Sequence, residues 1–221
     1  MPLHRIVCIG ALYAERADRT SGWKATRFGV GHIGLRSERE LVKSFVASFH
    51  DRPAPQLVGF NSSSFDLPVL RYRALGLSIA TPELHRSNGR DYWYRFGRDH
   101  IDLCDVLCNF GASARASLNE MAALCGLPQK LDGIDGSQVE AFVSSNRIED
   151  VANYCEFDVL STYLLFLRYM LVVGELSSEA YQQSLSSFAK FIVDRLERRP
   201  HLSSFADFSL AAQTDTSVAG T

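Results

Sequence analysis

No stretch of this 221-residue chain is apolar for long enough to cross a bilayer. The strongest candidate, Leu164 to Val173, falls short of the roughly 20 residues a spanning helix needs and carries Arg168, so no membrane partner is expected. A surplus of one charge is also missing. With net charge −2 and pI near 6.3, the chain is not built to coat nucleic acid indiscriminately, although a local basic groove remains compatible with these totals. Cysteine is sparse and unpatterned: Cys8, Cys104, Cys108, Cys125 and Cys155 are odd in number and contain no C-x-x-C. Cys104 and Cys108 stand four apart without a second cysteine pair to complete a zinc set. The amino terminus does not read as a signal peptide. These absences exclude a disulfide framework and predict small apolar thiols in a reducing, cytoplasmic setting. There is no internal repeat and no low-complexity linker in the body of the chain.

What is present is ordinary for a soluble globular protein: 46% hydrophobic and 22% charged residues, in a chain long enough for one well-buried domain. Arg5 to Ala14 reads as a strand buried on both faces, and Trp23 to Ile33 as a weaker strand completing a hairpin on a sheet edge. Ser37 to Phe49 is a helix with a Ser37/Glu40 capping box. Leu77 to Asp99 holds Tyr92, Trp93, Tyr94 and Phe96 interleaved with Arg86, Arg90, Arg95 and Arg98. That mixture suits single-stranded nucleic acid, with bases on rings and phosphates on guanidinium groups, and it equally suits a surface flap that buries its own aromatics. His100 to Leu107 predicts a strand running into a helix, with Asp102 and Asp105 in structural roles. Helices follow over Ala116 to Leu127, Ser137 to Ser145, Arg147 to Val173 and Ser177 to Arg199, with a loop over 129–136. Residues 1–199 are expected to form the domain, and 200–221 a disordered tail.

The chain is organised around Gln56 to Leu70, QLVGFNSSSFDLPVL. A short apolar strand ends in the polar loop Asn61-Ser62-Ser63-Ser64, and Asp66 then opens an apolar, helix-spaced run. Capping a helix is the ordinary role for such an aspartate. Ligands nevertheless gather at the carboxyl ends of strands in open α/β sheets, where this loop sits. A second stretch, VANYCEFDVLSTYLLFLRYM from Val151 to Met170, is strongly helical. It places Tyr154 and Asp158 one turn apart on one face.

Together these segments resemble the DEDDy-type 3'-5' exonucleases, in particular their family-B-polymerase-like branch. The likeness is carried by QLVGFNSSSFDLPVLRYRALG, HIDLCDVL, LNEMAALCGLPQKLDGIDGSQV and NYCEFDVLSTYLLFLRY, in that order, and covers most of Pro2 to Tyr169. The resemblance implies an α/β, ribonuclease-H-like mixed sheet flanked by helices. It implies Mg²⁺ or Mn²⁺ on carboxylates, with Asp66 and Asp158 as ligands and Tyr154 positioning the attacking water. It also places Asn61 and Phe65 against the terminal nucleotide of a single-stranded 3' end. Asn153 stands where histidine-type relatives carry His, which puts the chain with the tyrosine type. The family's first motif, Asp-x-Glu on a central strand, occurs nowhere in the sequence. The first, central strand is therefore expected to be missing, and Asp66 and Asp158 account for at most one of the family's two ions. Three explanations stand: a start codon placed too late, a non-catalytic nucleic-acid-binding pseudo-exonuclease, or a substitute acid such as Asp102 or Glu156.

Overall fold

In a computed structural model the described residues are 4–50, 53–85, 89–129 and 136–214, with side chains through residue 208. Arg86, Asn88, most of the loop over 129–136 and residues 215–221 lie outside them. The chain is mixed α/β, with helices and two small two-stranded sheets among the described residues. Two compact units are distinguished: the described parts of Met1–Gly10, Val30–Leu118 and Ile134–Cys155, and those of Ala11–Gly29, Asn119–Gly133 and Glu156–Thr221.

Strands β1 (Cys8–Glu15) and β2 (Lys24–His32) pair as the expected hairpin, but as a sheet of their own. The residues of β1 are only half-buried along its length, so the reading of a strand buried on both faces is corrected: in a two-stranded ribbon no neighbouring strand covers its second edge. Its connection to β2 turns on Asp18, which accepts from the N–H and hydroxyl groups of Thr20 and Ser21.

In the first unit, β3 (Leu57–Gly59) lies parallel to β4 (His100–Asp102), with Leu57 opposite His100, Val58 opposite Ile101 and Gly59 opposite Asp102. Helix α1 (Glu38–Ala47) starts on the predicted capping box, both halves of which are formed. Leu41, Val42 and Val46 on its inner face join Leu67, Val69 and Leu70 of α2 (Asp66–Gly76) in one core with Phe49, Leu84 and Tyr92. The buried Glu38 ties this unit together. It accepts from the Ile6 N–H at 2.8 Å and from Arg73 in a two-pronged bond at 2.6 and 2.7 Å. Burial works to raise its pKa, but the Arg73 and Ile6 bonds outweigh burial and hold it below the usual value. Helix α3 (Leu103–Leu107) follows β4 directly, as the strand-into-helix reading required.

Helices α4 (Leu118–Leu124) and α5 (Val139–Ser144) are shorter than their sequence patterns. Helix α6 (Ile148–Val172) is the long one, followed by α7 (Ser178–Val193). In the second unit Leu160, Leu164, Phe188 and Ile192 are fully buried, and the Trp23 ring meets Phe166 edge-on at 5.6 Å. Gly22 is required there by close approach: a Cβ would stand 2.7 Å from the Ala180 carbonyl oxygen.

Of the disordered tail expected over 200–221, the described part is instead a turn of 3-10 helix (Pro200–Leu202) running into helix α8 (Ser203–Thr214). Leu202 and Phe205 are fully buried, with Phe205 against Phe157 at 4.6 Å. The small, polar composition hid a two-residue apolar anchor. Among the described residues no helix is long and apolar enough to cross a membrane.

Candidate active site

The loop between β3 and α2 is shaped by backbone requirements. A Cβ on Gly59 would collide with the Ser62 side chain, so only glycine lets the chain turn there. Asn61 has a positive φ of 59°, which Asn tolerates better than most residues. Its carbonyl then accepts from the Ser64 and Phe65 N–H groups, and the Ser62 carbonyl from that of Leu67.

One buried carboxylate holds this turn. Asp102, 3% exposed, ends β4 and caps α3, accepting from the Cys104 and Asp105 N–H groups at 3.0 and 3.4 Å. It also accepts from Asn61 N–H at 2.7 Å and Ser63 N–H at 2.8 Å. Beside it, Ser62 Oγ and His100 Nε2 are hydrogen-bonded at 2.8 Å, and burial pulls the His100 pKa below its ordinary value. Asp105, 1% exposed, bonds Arg95 at 2.7 and 2.8 Å and Arg115 at 2.9 Å. The Arg95 bonds hold its carboxyl below the usual range against the opposing effect of burial. Arg115 completes the brace, donating to Asn61 Oδ1 at 3.0 Å and Ser64 Oγ at 3.2 Å. Both aspartates are structural, as expected.

The candidate residues fall into two groups. Asn61, Phe65 and Asp66 share the loop and the start of α2. Asp66 is exposed in the first turn, and Phe65, 43% exposed, meets the His4 ring edge-on at 5.7 Å. Tyr154 and Asp158 lie one turn apart on α6, both half-buried. Asn61, Phe65, Asp66 and Tyr154 belong to the first unit and Asp158 to the second. A cavity of about 220 Å³ opens beside the loop between Ser63, Leu67, Arg71, Tyr72 and Trp93, with the Arg71 guanidinium 3.8 Å above the Trp93 ring.

For a hard divalent cation the donor chemistry is right, since carboxylate oxygens suit Mg²⁺ or Mn²⁺. The donors are few: among the described residues no three His, Cys, Asp or Glu side chains gather into a cluster. Neither substitute acid fits. Asp102 is committed to four backbone N–H groups. Glu156, 6% exposed, is held by Arg199 Nε at 2.8 Å and His201 Nε2 at 2.9 Å.

Arg115 was not legible from sequence, because its partners Asn61 and Ser64 lie 54 and 51 residues away and no local pattern marks it. Asp102 carries a readable signal, an aspartate directly ahead of an apolar helical run.

Comparison with known proteins bears on the same residues. Residues 1–208 match a family described as predicted 3'-5' exonucleases related to the exonuclease domain of PolB. The chain is similar to a DNA polymerase of Archaeoglobus fulgidus, 27% identical over 146 residues, which cover 63% of this chain and 18% of that protein. It is also similar to a DNA polymerase of Pyrococcus glycovorans, 27% identical over 176 residues, which cover 74% of this chain and 22% of that one. The chain thus spans about a fifth of the length of these curated relatives.

Proposed function

The chain belongs to the family of predicted 3'-5' exonucleases related to the exonuclease domain of PolB, and from that membership we propose that it is a DEDDy-type 3'-5' exonuclease with a ribonuclease-H-like fold, acting on single-stranded nucleic-acid 3' ends. The observation that carries the reading is the extent of the match. Residues 1–208 include both the loop with Asp66 and the helix with Tyr154 and Asp158. Asp66 and Asp158 would hold a single Mg²⁺ or Mn²⁺, which when bound neutralises phosphate charge and makes water a better nucleophile at neutral pH. The Tyr154 phenol, a turn from Asp158, orients the attacking water by hydrogen bonding. Phe65 offers an exposed ring for the terminal base, and Asn61 sets the turn that presents it. A reducing cytoplasm suits five cysteines that form no disulfide among the described residues.

A second reading, a pseudo-exonuclease that binds nucleic acid without cleaving it, is favoured by the lack of Asp-x-Glu in this sequence. The two readings separate in one assay on a 5'-labelled single-stranded oligonucleotide with Mn²⁺ or with EDTA. Exonuclease activity gives a metal-dependent ladder that disappears in Asp158→Ala while circular dichroism stays unchanged. Retained cleavage in that variant overturns the site assignment, and EDTA-insensitive binding without a ladder selects the second reading. Independently of turnover, Mn²⁺ binding followed by electron paramagnetic resonance weakens in both Asp66→Asn and Asp158→Asn. A loss in only one shows that the two carboxylates do not share an ion.

A further inference from the structure

Three aromatic rings of the first unit stand together, two of them in solvent and the third, Phe110, half-buried. Tyr94 is 55% and Phe96 61% exposed, their rings 6.1 Å apart, and Phe96 lies 4.9 Å from the ring of Phe110. Exposed large aromatics in one patch mark a contact surface rather than a folding requirement. Phe110 is held at φ 54° and ψ 32°, directly after Asn109 at φ 49°. A bulky side chain adopts that left-handed conformation only against steric resistance, so the ring position is imposed by the local fold.

The patch carries a charge arrangement that selects its partner. The Arg95 guanidinium lies 5.9 Å from the Phe96 ring and 6.0 Å from that of Phe110. Arg95 and Arg115, both 39% exposed at the side chain, sit on Asp105, 1% exposed, with Asp102 also buried nearby. The cations are therefore presented to solvent and the anions are covered. Arg95 reaches Asp105 through Nε and Nη2, which leaves Nη1 without a protein partner among the described residues. Arg115 links this cluster to Asn61 and Ser64, in the loop that leads to Asp66.

We infer that Tyr94, Phe96 and Phe110 form a base-stacking platform for the single strand leading into the candidate active site, with Arg95 and Arg115 taking the intervening phosphates. Rings accept any base, because every base has a π-face, while outward guanidinium groups track the backbone. This inference rests on the nucleic-acid reading of the same site and extends it to nucleotides upstream of the 3' end.

The test is fluorescence anisotropy of the full chain with labelled oligothymidylates of graded length, in EDTA so that no strand is cut. Wild-type affinity rises with length once the strand reaches from the loop to the rings. In Tyr94→Ala/Phe96→Ala that gain falls about tenfold or more, with thermal unfolding unchanged because both side chains are more than half exposed. Phe96→Trp retains the gain. An identical length dependence in the double variant overturns the platform and gives the rings to a protein partner instead, and so does an absence of single-strand binding by the wild type. Cleavage of a dinucleotide with Mn²⁺, too short to reach the rings, reports the catalytic reading separately. Cleavage with ring-independent binding sinks only the platform, and ring-dependent binding without cleavage sinks only the catalysis.

Discussion

At the scale of single residues, the buried polar groups under the loop decide how the site responds to acid. The His100 pKa lies below its ordinary value of 6.5, burial being the cause. As pH falls through 6.5, the unfolded chain binds the proton before the folded one does, so stability is lost from there down to the folded pKa. Asp105 and Glu38 are depressed from 3.8 and 4.5. Their contribution is present above those values and lost as pH falls below them through the folded pKa. Urea unfolding across a pH series should therefore show two stages of weakening, one beginning near pH 6.5 and one near pH 4. In His100→Gln the first stage disappears and the second stays. A first stage that persists unchanged in that variant would show that another group drives it.

At the scale of elements, the site depends on a six-residue connection that a parallel strand pair and one aspartate hold in place. Asn61 has two separable duties there: its backbone adopts the left-handed turn, and its carboxamide accepts from Arg115. Glycine supplies the first duty but not the second, and alanine supplies neither. Asn61→Ala should therefore be less stable than Asn61→Gly by about 1 kcal/mol, the cost of a Cβ in that region. Both should lose the Arg115 bond equally. Chemical denaturation of the two variants decides it, and equal stabilities would mean the turn relaxes to an unstrained shape. Helix α6 is simpler. Its 3.6-residue repeat alone puts Tyr154 and Asp158 on one face, whatever packs around them.

At the scale of the whole molecule, the segment after Arg199 matters more than its composition suggests. Leu202, Phe205 and Ala206 enter the core, and Arg199 and His201 hydrogen-bond the buried Glu156. A chain ended after Arg199 would lose these apolar anchors and one of the two partners of a buried carboxylate. Burying an undercompensated charge and emptying a core both cost several kcal/mol. Such a chain should unfold at a markedly lower temperature, or aggregate, in differential scanning fluorimetry. A melting curve like that of the full chain would relegate α8 to an accessory role.

The sequence by itself determined the kinds and order of the elements: the capped helix α1, the strand–loop–helix around Asp66, β4 running into α3, and the long helix bearing Tyr154 and Asp158. Those features are local, set by periodicity, capping and turn residues within a few positions of one another. Only the tertiary structure decided the rest. It committed Asp102 to backbone N–H groups 39 and 41 residues away, gave Glu156 to Arg199 and His201, and made a helix of Ser203–Thr214 within the expected tail. It also divided the aromatic stretch, burying Tyr92 completely while leaving Tyr94 and Phe96 in solvent. Side-chain identity is the same in all these cases. What differs is which distant backbone or charge the fold brings within bonding distance, and no pattern along the chain encodes that.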